Sequence, residues 1–369
     1  MRNFGKKITV NSLFALAFFC LFTFTANAAN ITWDGGGADN NWSTAANWSG
    51  DVVPTNADRV FFNATSTKNA TIDVPVTVDW LIEAAGYTGT ITQADGQTMN
   101  LTQFEIDAGT FQGGAADANF DQVYIYGGTF NAPSGTLTAR IFNNQDPTAP
   151  IGIFNANGGT VKISSPTNFA TLSGYYPLTF NNLILAAQTS EGGTAIDASV
   201  AGTLTFNANG GLSDGFIKAN GNVVFNSGYV GGIGEIRFVD TVTRTVNLDL
   251  SDVKQQILIN NPNITVTTNG TASDTINWTQ KVTIQSGTLQ QSAANYTFSA
   301  SGTGFLISGG TFQGSVGALN LNTSSTLSSG NLSGGAGTVG YSSGTPTFAQ
   351  TGGTFSANGN AAFFFLNHT

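Results

Sequence analysis

A glycine followed by threonine and an apolar or aromatic residue returns throughout this chain, and the recurrence leaves few folds open. It stands at Gly109-Thr110-Phe111, Gly128-Thr129-Phe130, Gly159-Thr160-Val161, Gly202-Thr203-Leu204, Gly287-Thr288-Leu289, Gly310-Thr311-Phe312 and Gly353-Thr354-Phe355. Gly228-Tyr229-Val230 and Gly330-Asn331-Leu332 are variants of it. From glycine to glycine these nine copies lie 19, 31, 43, 26, 59, 23, 20 and 23 residues apart. The 43 and 59 approximate two and three times a unit of roughly 20 to 22 residues, within the range of strand-based solenoids. A glycine turns the chain, a β-branched residue follows, and a ring points inward, as one coil of a stacked β-structure requires.

The rest of the pattern agrees. No segment places apolar residues at helical spacing over three turns. Thr71-Ile72-Asp73-Val74, Val76-Thr77-Val78, Val242 to Leu250 and Ile264-Thr265-Val266 alternate apolar and polar instead. Antiparallel sandwiches share short strands and frequent turns, but the roughly 20-residue period selects an all-β, right-handed parallel β-helix. Residues 79–369 hold room for about 13 coils of about 22 residues. Phe111, Phe130, Phe312 and Phe355 are expected to stack at one inward position.

The first 28 residues read as a secretory signal. Arg2, Lys6 and Lys7 form its basic start, Leu13 to Phe24 its short apolar stretch, and Ala26-Asn27-Ala28 its cleavage site. Cys20, the only cysteine, lies inside that stretch, so the mature chain has no thiol for disulfides. Removing three positive charges shifts the net charge from -9 to -12. A sparsely charged, acidic surface argues against nucleic acid as a partner, and no second apolar run is long enough to span a membrane. After Lys281 no Asp, Glu, Lys or Arg occurs. Phe305, Leu306, Phe312, Leu319 and Leu321 nevertheless recur there between glycine turns, which predicts ordered coils.

Residues 29–78 are expected to form a tryptophan-rich capping module. Trp33, Trp42 and Trp48 fall within sixteen residues, among Asp34-Gly35-Gly36-Gly37, Asn41, Asn47, Val53-Pro54 and Asp58-Arg59-Val60-Phe61-Phe62. This run, with the later Thr179-Phe180-Asn181-Asn182-Leu183-Ile184-Leu185, resembles exported bacterial β-helical repeat proteins of the autotransporter-passenger and surface-adhesin type. The resemblance implies a secreted, cell-surface or extracellular filament. The chain ends at Phe363-Phe364-Phe365-Leu366-Asn367-His368-Thr369 without a translocator barrel, sorting tail or anchor helix, so we expect the protein to continue beyond it.

Two uses of the tryptophans compete. The rings can plug the first coil and hide its open edge. Alternatively, Trp33, Trp42 and Trp48 can form a binding platform on which sugar rings stack, with neighbouring amides bonding hydroxyls. Asp34, Asp39 and Asn40 carry oxygens that suit calcium, but their spacing matches no calcium loop, and no metal or cofactor is expected.

Catalytic options are few. The single histidine, His368, excludes triads and histidine-rich zinc sites for this segment. Carboxylates remain, as used in glycoside hydrolysis or polysaccharide elimination. Glu105 and Asp107 share a face opposite Phe104 and Ile106; Glu235 and Arg237 share one opposite Ile236, with Asp240 and Arg244 near in sequence. Such pairs also serve as ordinary cross-strand charge partners. A third reading, a threonine face for ice or another crystal surface, uses Thr88, Thr90 and Thr92 and Thr241, Thr243 and Thr245, rows that do not recur at the coil period in the sequence. The reading adopted is a non-enzymatic adhesive rod whose partners are glycans, a neighbouring cell surface or further copies of itself. The alternative is a carbohydrate-active β-helix enzyme working through surface carboxylates.

Overall fold

In the computed structural model, residues 28–144, 151–175, 177–190, 197–240, 244–248, 252–269, 275–292, 296–340, 347–357, 361–362 and 366–368 are described. They form an all-β parallel solenoid of about a dozen turns, with a single 3-10 turn, Ala45–Asn47, among the described residues. Strands of successive coils pair in parallel and in register. Thr71 lies opposite Thr92, and Thr92 opposite Gln112. One coil therefore takes about 20 residues.

Three ladders run along the N-terminal half. One joins Arg59–Phe62 to the second halves of Val76–Glu83, Met99–Ile106 and Ala118–Ile125, and then to Ile141–Asn144. A second joins the first halves of those long strands to Thr136–Ala139 and Thr160–Gly174. The third contains Ala70–Ile72, Thr90–Gln93, Thr110–Gln112, Thr129–Asn131 and Ile153–Asn155. A long strand serves two ladders by bending at a corner, and its inward parity changes there. Val76 and Val78 are buried before the bend, and Leu81 and Glu83 after it.

The core is a column of rings and branched aliphatics. Phe104 stacks on Phe120 (5.3 Å, 9°), Phe111 on Phe130 (5.2 Å, 11°) and Phe206 on Phe225 (4.9 Å, 18°). For the last two pairs the stacking follows from register, because coils spaced at about 4.8 Å bring equivalent rings to stacking distance, whereas Phe104 and Phe120 meet across the core from different ladders. The expected single column of phenylalanines is in fact two. Phe111 and Phe130 lie in the third ladder, whereas Phe312 and Phe355 lie in the continuation of the second, with Leu332 between them.

The cause is that the glycine-threonine motif marks corners rather than coils. Three further copies, Gly89-Thr90-Ile91, Gly135-Thr136-Leu137 and Gly337-Thr338-Val339, also lead into strands. Gly128 and Gly135 stand at successive corners of one coil. The interval of 31 residues therefore contains a change of face. At Gly109 the backbone is left-handed (φ 77°), and a Cβ there would lie 2.7 Å from the Tyr87 ring and 3.0 Å from Glu83 Oε2. Only glycine fits that corner.

The tryptophan module closes the solenoid. The strand Val76–Glu83 crosses the expected boundary after residue 78, and Arg59–Phe62 already pairs with its second half. The module is thus built directly onto the first coil. Asn30–Thr32 pairs with Arg59–Phe62, Trp42 N donates to Thr71 O (2.8 Å), and Thr71 N donates to Asn40 O (2.7 Å). These bonds occupy ladder groups that an uncovered first coil would leave open.

Candidate functional site

Trp33, Trp42 and Trp48 are 0, 1 and 0 % exposed. Trp48 sits between the others in edge contacts, 4.9 Å from Trp33 and 4.5 Å from Trp42, and all three surround Phe62. The polar tips of Trp48 and Trp33 are satisfied inside the fold. Trp48 Nε1 donates to Trp42 O (2.7 Å), and Trp33 Nε1 donates to Lys68 O (3.0 Å). The sugar-platform reading is corrected accordingly, since no indole face is open for a sugar ring to pack on. Burial of three indoles makes the cluster a cap.

Beside it, the Asp-Gly-Gly-Gly loop is organised around a side chain that the calcium reading did not consider. Lys68 Nζ donates to Gly37 O (2.6 Å), Gly35 O (3.0 Å) and Asn47 Oδ1 (3.2 Å). An ammonium thus stands among oxygens of the kind that would otherwise suit a cation. Asp39 faces donors instead. It accepts from Asn41 N, Thr44 Oγ1 and Asn47 Nδ2, and these bonds hold its carboxyl below the ordinary value. Asp34 accepts from Gly36 N in a local turn. Lys68→Met would strand three oxygens, and we expect a loss of about 1–3 kcal/mol by chemical denaturation. Calcium should leave the parent melting temperature unchanged. A calcium-dependent rise would show that an ion displaces the ammonium.

The two carboxylate pairs singled out in the sequence lie apart from each other. Glu105 lies in the first ladder between Ile82 and Tyr124; Glu235 lies between Phe216 and Gln256 in another ladder, several coils away. Burial raises the Glu105 carboxyl, nearby Asp107 adds to the effect, and the Gln103 amide bonded to it (2.8 Å) opposes it. Glu235 accepts from Arg237 Nε (2.6 Å), and that guanidinium covers the Phe216 ring at 3.6 Å. The Arg244 side chain lies outside the described residues. Among the described residues no group of three or more His, Cys, Asp or Glu is placed to hold a metal ion.

The threonine rows do not repeat as units, since Gln112 and Asn131 follow Thr92 and Gln290 follows Thr267, but single columns of hydroxyls recur through register. Thr90, Thr110 and Thr129 are in register, as are Thr265, Thr288, Thr311, Asn331 and Thr354. The companion column of the second set reads Thr267, Gln290, Gln313, Ser333 and Ser356. Long amides interrupt the hydroxyls, so the face is not a uniform threonine lattice. Thr241 and Thr243 lie outside the described residues.

One concave feature was not legible in the sequence. A groove of about 460 Å3 follows the second ladder along the rod. Its floor is an outward column, one residue per coil: Thr77 opposite Asn100, Asn100 opposite Asn119, and Asn119 opposite Thr138. Asn119 Nδ2 donates to Asn100 Oδ1 (3.0 Å). The corner residues Thr102, Asp121 and Arg140 also line it. Arg140 Nε and Nη2 donate to the two Asp121 oxygens at 2.9 and 2.7 Å. The far end is Ser164-Ser165-Pro166, where the register of Thr160–Gly174 shifts between Ser164 and Phe169.

These features define a capped parallel β-solenoid with a surface groove floored by a row of polar side chains. No known family matches this chain, and no curated protein or solved structure is significantly similar to it.

Proposed function

We propose that this chain is the non-enzymatic, adhesive rod of an exported cell-surface or extracellular-matrix protein. The observation that carries the reading is the separation of the outer carboxylates. Glu105 and Glu235 lie on different ladders, and Glu235 is tied to an arginine. A glycosidase needs two carboxyl groups across one scissile bond; Glu105 and Glu235 do not face each other, and the carboxyl near Glu105, Asp107, is its neighbour two residues along the chain rather than a group across a cleft. Export rests on Arg2, Lys6 and Lys7 ahead of the apolar stretch and Ala26-Asn27-Ala28 after it. The buried tryptophan cap adds support, since a long-lived rod must close its open sheet edge.

The test is incubation of residues 29–369 with a polysaccharide panel. The expected result is retention of a polymer with no release of reducing sugar or unsaturated uronate. Release that Glu105→Gln or Glu235→Gln abolishes would overturn the proposal and establish a carbohydrate-active enzyme.

A further inference from the structure

The groove over the second ladder has no part in closing the rod, and its lining restricts what can occupy it. Thr77, Asn100 and Asn119 are exposed and Thr138 is half-buried, while Val76, Val78, Leu101, Phe120 and Leu137 between them are buried. The floor is therefore a row of hydroxyl and amide groups on a rigid sheet, spaced by one coil, or about 4.8 Å. Its volume falls in the range of ligand sites, roughly 300–1,000 Å3.

Elimination narrows the ligand class. The charged lining residues are Asp121 and Arg140, and they neutralise each other through two hydrogen bonds. Along the row itself a phosphate or polyanionic chain would meet no free cation from Thr77 to Thr138; the next residue of the column, Lys162, stands one coil beyond. Carbon atoms make up most of the lining, but a lipid chain would cover the amides and hydroxyls of the floor without pairing them. A peptide cannot add as a strand, because the backbone groups of the floor are already used between coils on both sides. A hydroxyl-rich neutral chain suits the row, since amides and hydroxyls both donate and accept. The three steps from Thr77 to Thr138 extend about 14 Å along the axis, enough for a short run of sugar rings.

We infer that this groove binds a neutral, linear oligosaccharide lying along the rod axis, with Asn100 and Asn119 as its central hydrogen-bonding residues. The inference deepens the adhesive reading, which it takes as its basis, by naming a ligand class and a place.

The experiment is calorimetric titration of residues 29–369 with cellohexaose, xylohexaose, mannohexaose and chitin hexamer, and with hexagalacturonate as the charged comparison. Binding of at least one neutral hexamer is expected. An Asn100→Ala, Asn119→Ala double variant should weaken it about tenfold, as the loss of two amide hydrogen bonds implies. Asn119→Trp should fill the groove and abolish it. Asn131→Ala is the matched control. It removes an amide ladder contact on a different face, with Gln112 and Asn155, and should bind like the parent. Circular dichroism verifies that each variant is folded. Failure of all four neutral probes to bind, tighter binding of hexagalacturonate, or binding untouched by both groove variants would overturn the inference and leave the rod reading standing. Groove-dependent binding accompanied by cleavage would support the groove and overturn the non-enzymatic reading.

Discussion

Trp48→Ala is expected to lower the stability of the N-terminal coils by about 3–5 kcal/mol, the usual cost of deleting a large buried ring. Trp48 touches Trp33, Trp42 and Phe62 at once, so its removal leaves a void that three rigid rings cannot close together. It also releases Trp42 O from the Trp48 indole N–H. In a solenoid each coil leans chiefly on its neighbours, so the damage should stay local at first. Calorimetry should show an early transition for the cap, followed by the main melt. Exposed edges should then promote end-to-end association, read as a rising sedimentation coefficient with concentration. Unchanged melting and a monodisperse species would mean that the rings do not close the rod.

The second large effect concerns Glu83, which points inward between Phe62 and Ile106 and is 0 % exposed. Neither carboxyl oxygen has a hydrogen-bond partner. Burial therefore pushes the group well above its ordinary value of 4.5. A raised acid pKa gives stability that is complete at low pH and is lost as pH rises, because the unfolded chain releases a proton that the folded chain retains. Glu83→Gln removes this linkage. The variant and parent should be similar near the unfolded carboxyl's range. Above it, the variant should gain about 1.4 kcal/mol on the parent for each pH unit, until the folded carboxyl ionises. Paired denaturation curves from pH 4 upward measure the difference. A gap that does not change with pH would mean that Glu83 is not held protonated.

Glu83 also shows why part of the molecule was hidden in the sequence. Alternation through Val76 and Val78 extrapolates to an outward Glu83. The corner after Val78 reverses that parity, and nothing in a single strand's pattern announces a corner. Where no corner intervenes the pattern was reliable: Phe104 and Ile106 are buried and Glu105 faces out, as alternation requires. The glycine-threonine motif revealed the solenoid because it encodes the turn into a strand. It could not assign faces, since two corners of one coil accept the same glycine, threonine and apolar pattern. The groove was invisible for a related reason. Thr77, Asn100, Asn119 and Thr138 become a row only through coil register, which loop length sets. The tryptophan cluster was legible as a unit, but indoles beside amides suit a plug and a platform equally until burial is known.

The parallel register has a mechanical consequence. Hydrogen bonds between coils run along the rod axis, so tension on the rod loads the bonds of one interface together and successive interfaces in series. Yielding then proceeds one coil at a time. Each coil of about 20 residues contributes about 4.8 Å while stacked and about 70 Å once drawn out. Force on such a rod is met by stepwise lengthening, and every detached coil gives the load a longer tether before the next interface must bear it.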